Sequence, residues 1–214
     1  MPAKALSLID VSRRIGAVRE SLNHADSPLP CVALLVTSAV NIRWLTGFTG
    51  SAGMLLMSLR PEAPSYLITD GRYIAQAEQQ LRMSQSPVEI IEKRSLKDQL
   101  QFVVSEILES HESAGEVCLG IESHEVSVEL LQQLESEVAS HGSQTRKLTW
   151  KAIQEVFIDL RRSKTPAELE RITLAASIAD SALQSVAHML VPGISEEQFC
   201  LHLDHAMREM GAQD

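Results

Sequence analysis

V-E-I-I-E-K-R-S-L-K-D-Q-L-Q-F-V-V-S-E-I-L-E-S-H-E-S-A-G-E-V-C-L-G-I, residues 88–121, decides the class of this fold. It reads as a short strand at 88–91, a helix at 95–112 and a strand at 116–121, and a further helix is expected at 125–140. Strands that alternate with helices in this rhythm predict a layered α/β domain built on a mixed sheet.

Upstream, the apolar runs C-V-A-L-L-V (31–36) and M-L-L-M (54–57) read as buried strands within 31–37 and 53–59. Tyr66–Thr69 reads as another strand, after the P-E-A-P turn at 61–64. Val11, Ile15, Val18 and Leu22 recur at helical spacing, which predicts an amphipathic helix over 8–24, ended by D-S-P-L-P at 26–30. A short strand or turn is expected at 41–45 and a helix at 71–82. Downstream come a strand at 145–149 and a helix near 151–160, and beyond them the pattern is purely helical. Ile172, Ala176, Ala179 and Leu183 share one face of a helix opened by Thr165-Pro166, because proline suits a first helical turn. V-P-G-I at 191–194 interrupts it, and Ser195 with Glu196 and Glu197 caps a last helix to about Met210. The division expected is a domain over 1–160 and the start of a second over 161–214.

The 214 residues are 44% hydrophobic and carry a formal charge of −9. No apolar run reaches the roughly 20 residues of a membrane-spanning helix, and the first ten residues hold no signal-peptide core. Between Asp98 and Thr145 there is no Lys or Arg, so this stretch reads as a solvated acidic face or a dock for a basic partner. Nucleic acid is disfavoured, since phosphates would be repelled. Cys31, Cys118 and Cys200 stand far apart beside apolar neighbours, which argues for small buried hydrophobes, against a disulfide framework, and for a cytoplasmic setting.

Two segments could carry recognition. In N-I-R-W-L-T-G-F-T-G-S-A-G (41–53), Gly47, Gly50 and Gly53 lack the G-x-G-x-x-G order and precede a strand rather than a helix, so the loop is not read as a phosphate cradle. Arg43, Trp44 and Phe48 are either a cationic and aromatic edge for a ligand or, alternatively, core aromatics beside a surface charge. In T-D-G-R-Y (69–73), Asp70 could cap the following helix or pair with Arg72, and Arg72 could instead face a substrate or partner. His202 and His205, with Asp204 between them, lack the spacing and the glutamate of H-E-x-x-H and make an incomplete metal shell. No catalytic constellation is recognised.

At G-F-T-G-S-A-G-M-L-L-M (47–57) and L-I-T-D-G-R-Y-I-A-Q-A (67–77) the sequence resembles the N-terminal domain of Xaa-Pro aminopeptidases (aminopeptidase P), of the creatinase/prolidase superfamily. D-L-R-R-S-K-T-P-A-E-L-E-R-I (159–172), A-A-S-I-A-D (175–180), V-P-G-I-S-E-E-Q (191–198) and M-R-E-M-G-A (207–212) are similar to that family's entry into its catalytic domain. The resemblance implies a ribonuclease-H-like, mixed-sheet α/β domain, followed by two helices of an incomplete "pita-bread" domain. It also implies a parent that cleaves the N-terminal residue before proline, using two divalent metals, typically manganese, held by two Asp, one His and two Glu. Those ligands are expected beyond the point matching Asp214, so this chain would carry no catalytic or metal residue. The loop at Arg43, Trp44 and Phe48 would then form part of an active-site lid, and Asp70 and Arg72 a structural or inter-domain motif. The partners implied are a second copy in a homodimer or the catalytic domain, with peptide substrate bound only by the full-length parent. The alternative is a non-enzymatic protein-interaction module derived from the same family.

Overall fold

A computed structural model describes residues 6–23, 31–109, 115–141, 146–153 and 155–212. The D-S-P-L-P segment at 26–30 lies outside these described residues. Two compact units emerge: the larger spans Ile9–Ser163, and the smaller begins at Lys164 and takes in Ser7, whose amide donates to Glu170 Oε2 at 3.0 Å. Among the described residues no helix is long and apolar enough to cross a membrane.

The larger unit runs α1 (Arg14–Asn23), β1 (Cys31–Val36), α2 (Ala39–Thr46), β2 (Met54–Ser58), β3 (Tyr66–Thr69) and α3 (Ile74–Ser84). It continues with β4 (Glu89–Glu92), α4 (Leu96–Glu109), β5 (Gly115–Ile121), α5 (Val128–Ser140), β6 (Arg146–Ala152) and α6 (Glu155–Arg162). The strands form one six-stranded sheet in the order β4-β3-β2-β1-β5-β6. β1–β2 and β2–β3 are antiparallel, while β1–β5, β3–β4 and β5–β6 are parallel, so the sheet is mixed as the alternating pattern requires.

Alternation along each strand sends neighbouring side chains to opposite faces. Leu34 and Val36 join α1, α2, α3 and α6 through Ile15, Leu45, Leu81 and Phe157. Ala33 and Leu35 join α4 and α5 through Leu100, Val104, Ile107 and Leu134. Both faces of the central strands are thus covered, which is why C-V-A-L-L-V reads as a continuous apolar run rather than an alternating one.

Three expectations are corrected. Residues 39–46 form a helix, not a strand or turn; Asn41, Ile42, Leu45 and Thr46 make its buried face. Trp, Ile, Val and Thr favour strands intrinsically, and the tertiary setting overrides that preference. Cys31 and Cys118, register partners on β1 and β5, are joined as a disulfide across 87 positions, while Cys200 is free and exposed. Sheet pairing brings together what linear spacing keeps apart, so spacing alone is no guide to their pairing. Finally, α1 begins at Arg14 and α3 at Ile74, each later than the apolar periodicity implies, because turns occupy the first residues.

In the smaller unit, α7 (Pro166–Val186) and α8 (Glu196–Glu209) form a helical pair. Each opens on a reciprocal capping box, Thr165 with Glu168 and Ser195 with Gln198, so orphan amides at both N-termini are satisfied locally. Their shared core is small: Ala182, Val186 and Ala206 are buried, with Met189, Phe199, Leu203 and Met207 packed around them. Ile172, Ala176, Ala179 and Leu183 lie exposed.

Candidate functional site

The glycine-punctuated loop and the T-D-G-R-Y turn meet at one end of the sheet. The loop leaves α2 through Gly47, whose φ of +79° is the left-handed conformation that ends the helix, with its amide bonded to the Arg43 carbonyl at 2.8 Å. A side chain there would also press on Ser84 of α3, whose Oγ donates to the Thr46 carbonyl at 2.7 Å. Gly50 lies against the Phe48 ring so closely that a Cβ would overlap it. Glycine is needed at Gly47 for torsion as well as room, and at Gly50 for room.

The polar side chains of the loop are bonded to α3 and to the turn. Thr49 Oγ1 accepts from Gln76 Nε2 at 3.0 Å and from Gln80 Nε2 at 2.7 Å, and its amide donates to Gln80 Oε1 at 2.9 Å. Ser51 Oγ and Tyr73 Oη share a hydrogen bond of 2.6 Å, and Thr69 Oγ1 donates to the Ala52 carbonyl at 2.6 Å. Tyr73 meets Phe48 edge-on, with ring centroids 6.0 Å apart.

Asp70 does not cap α3, since that helix starts beyond the turn. Its carboxylate instead accepts from the Arg72 amide at 3.0 Å, from Nε at 2.9 Å and from Nη2 at 2.8 Å. These bonds hold the Asp70 carboxyl below its ordinary range and raise the Arg72 guanidinium. Arg72 also lies over the Tyr73 ring at 5.3 Å, yet its side chain is 73% exposed. It is therefore a pre-oriented, solvent-facing cation.

The lid candidates divide by position. Arg43 is exposed on α2, and its guanidinium has no hydrogen-bond or ion-pair partner among the described residues. Trp44 is half-buried, with the Arg14 guanidinium 4.9 Å above its ring and Arg14 Nη1 donating to its carbonyl at 2.7 Å. Phe48 is 2% exposed and belongs to the core. The outward-facing groups at this end are thus Arg43, Arg72, part of Trp44 and the Thr49–Gln76–Gln80 cluster. An open groove of about 520 Å³, lined by residues that include Lys93, Arg94, Asp98, Glu137 and His141, holds none of the motif residues.

Glu122 carries no distinguishing mark in the sequence beyond its position. It falls within the acidic stretch expected to be solvated, and Glu109, Glu116, Glu125, Glu129 and Glu135 are indeed exposed. Glu122 is 1% exposed. Its Oε2 accepts from the amides of Thr37 at 2.7 Å and Ser38 at 2.9 Å, and its Oε1 from Asn41 Nδ2 at 2.5 Å. Ser38, the residue before α2, makes no side-chain cap, and the Glu122 carboxylate, 84 positions away, instead holds the Ser38 amide and that of Thr37 just ahead of the helix. The available signal is positional: an acid directly after an apolar strand, where strand ends and helix starts gather.

No group of three or more His, Cys, Asp or Glu among the described residues could hold a metal ion. On α8, His205 lies 3.4 Å from Glu209 and Asp204 accepts from Arg208 at 2.9 Å, so these side chains are engaged within their own helix. The described residues do not fit the two-metal centre that the resemblance implies.

Residues 14–162 match the family model described as the creatinase/prolidase N-terminal domain. The chain belongs to this family. It is 31% identical over 193 residues to the uncharacterized peptidase YqhT of Bacillus subtilis (strain 168), covering 90% of this chain and 49% of that protein. It is 34% identical over 118 residues to a probable Xaa-Pro aminopeptidase P of Neurospora crassa, covering 55% of this chain and 15% of that protein. Among solved structures, the Xaa-Pro dipeptidase from Bacillus anthracis shares the fold with a TM-score of 0.77 at 24% identity, covering 96% of this chain and 51% of that one. The N-terminal domain of cytoplasmic peptidase PepQ from Mycobacterium tuberculosis H37Rv gives a TM-score of 0.53 at 25% identity, covering 70% of this chain and 99% of that domain. This creatinase/prolidase N-terminal chain spans about half the length, or less, of the longer relatives it matches.

Proposed function

We propose that this chain is the non-catalytic N-terminal part of a metal-dependent Xaa-Pro aminopeptidase, supplying a subunit surface and an active-site lid. The family match over residues 14–162 carries this reading. The exposed Arg43 next to the half-buried Trp44, and the exposed Arg72 over Tyr73, support it further, since a cation next to an aromatic face suits a peptide's carbonyls and its proline ring. In the parent, a pair of divalent metals, manganese by family resemblance, would be held in the other half and supply the activated hydroxide. The exposed Leu169, Ile172, Leu183 and Leu201 of α7 and α8 would pack on that half. The working form proposed is a cytoplasmic homodimer.

The purified chain, supplied with manganese and an Xaa-Pro-Pro peptide, is expected to release no N-terminal residue; turnover would overturn the non-catalytic reading. In an intact two-domain parent, Arg43→Ala is expected to raise KM for an Xaa-Pro peptide severalfold with kcat little changed, and an unchanged KM would remove the lid. Sedimentation equilibrium tests the dimer directly. A second reading, a protein-interaction module, draws on the exposed Glu109, Glu116, Glu125, Glu129 and Glu135. Salt-sensitive binding of a basic peptide to the isolated chain would favour it.

A further inference from the structure

We propose that Arg161, Asn41 and Glu122 form a directional relay that positions α2, and with it Arg43 and Trp44, against α6; the consequence for a lid rests on the proposed function above. Arg161 Nη1 donates to Asn41 Oδ1 at 3.0 Å, and Asn41 Nδ2 donates to Glu122 Oε1 at 2.5 Å. Glu122 Oε2 then accepts the amides of Thr37 and Ser38, at the start of α2. The polarity is forced. A guanidinium only donates and a carboxylate only accepts, so the Asn41 amide has one orientation that serves both. Asn41 and Glu122 are 3% and 1% exposed, so the bonds of Glu122 to Asn41 and to the Ser38 amide are buried, while those from Arg161 and from the Thr37 amide are part-buried.

The relay spans what the chain keeps far apart. Asn41 lies on α2, Glu122 follows β5, and Arg161 sits on α6, the last element before the second unit starts at Lys164. At its other end α2 is fixed by Arg14, through the Trp44 carbonyl and ring, and by Ser84 through the Thr46 carbonyl. A helix of eight residues has little stability of its own, so these tertiary bonds set where Arg43 and Trp44 stand.

The polarity supplies a test that packing alone would not meet. Glu122→Gln is isosteric; the new side chain's oxygen can still take the two amides, but its NH2 group then faces Asn41 Nδ2, donor against donor. Turning the Asn41 amide over only moves the conflict to Arg161. Asn41→Asp alone sets two carboxylates face to face. In the double variant, the amide nitrogen introduced at position 122 donates to one oxygen of the carboxylate introduced at position 41. Arg161 donates to the other oxygen, so the relay is rebuilt at unchanged net charge.

Hydrogen exchange of the amides of Ile42–Gly47 in the 214-residue chain reads the outcome without substrate or partner. Each single variant is expected to speed exchange on the order of tenfold or more, and the double variant to return to within about threefold of wild type. Arg161→Ala is expected to speed the same amides, with Arg161→Lys intermediate. Where a single variant fails to fold, recovery of a folded chain by the second substitution is the same positive result. Singles indistinguishable from wild type, or a double variant no better than the product of the singles, would overturn the relay. Because no peptide is involved, these results stand apart from those of the KM measurement on Arg43.

Discussion

The two units of this chain bury their apolar side chains to very different extents. In Ile9–Ser163 the sheet is covered on both faces, and Leu34, Leu35, Leu55, Met57, Leu67 and Ile68 are 1% exposed or less. Among the described residues of the helical unit only Ala182, Val186 and Ala206 reach the interior, while Ile172 and Leu201 stand 51% and 65% exposed. Both helices are nonetheless capped at their N-termini by reciprocal boxes. Local signals can therefore specify a helix fully and leave its apolar face without a partner, since caps act within one turn while burial needs a second surface.

The sharpest way to break this contrast is Phe48→Ala. It is expected to destabilise the larger unit by about 3–5 kcal/mol in urea unfolding, as buried aromatics do; no change would mean that Phe48 serves recognition and not the core. Next in size, amides of α8 should exchange on the order of a hundredfold faster than those of β5, because few buried contacts oppose local opening. Equal protection would show that the helical pair has found a partner surface. Ile172→Ser with Leu201→Ser should shift thermal stability by no more than about 0.5 kcal/mol per site, while reducing concentration-dependent association in sedimentation. A large loss of stability would mean that both side chains are buried in solution.

The smallest effect belongs to the Asp70–Arg72 pair in the exposed turn. Arg72 lowers the Asp70 carboxyl below its ordinary value of 3.8, so the bound form is the ionised one. Its contribution is present above that value and is lost as pH falls through the lower folded value. Wild type and Asp70→Asn should therefore differ slightly in melting temperature near pH 6 and converge under acid. A gap that widens on acidification would contradict the assignment.

The sheet is legible in the sequence because both of its periodicities are present: continuous apolar runs for β1 and β2, and strand–helix alternation from Val88 onward. The glycine loop and the T-D-G-R-Y turn can be recognised as a pair, and they do meet in space through Ser51 and Tyr73. α2 is misread from sequence because its strand-prone residues lack a side-chain cap at Ser38, and the carboxylate that holds the chain at that end, Glu122, lies 84 positions away. Glu122 itself is hidden by its composition, one glutamate among many in an acidic stretch, and only burial distinguishes it.

The sequence by itself determined the α/β class, the family resemblance and the capped two-helix segment, because periodicity, turn chemistry and caps are written in neighbouring residues. Only the tertiary structure decided that Cys31 meets Cys118, that Phe48 lies inside while Arg43 lies outside, and that Arg161, Asn41 and Glu122 form one chain of hydrogen bonds. Those outcomes depend on strand order and on which helix covers which face, and residues dozens of positions apart carry no mark of either.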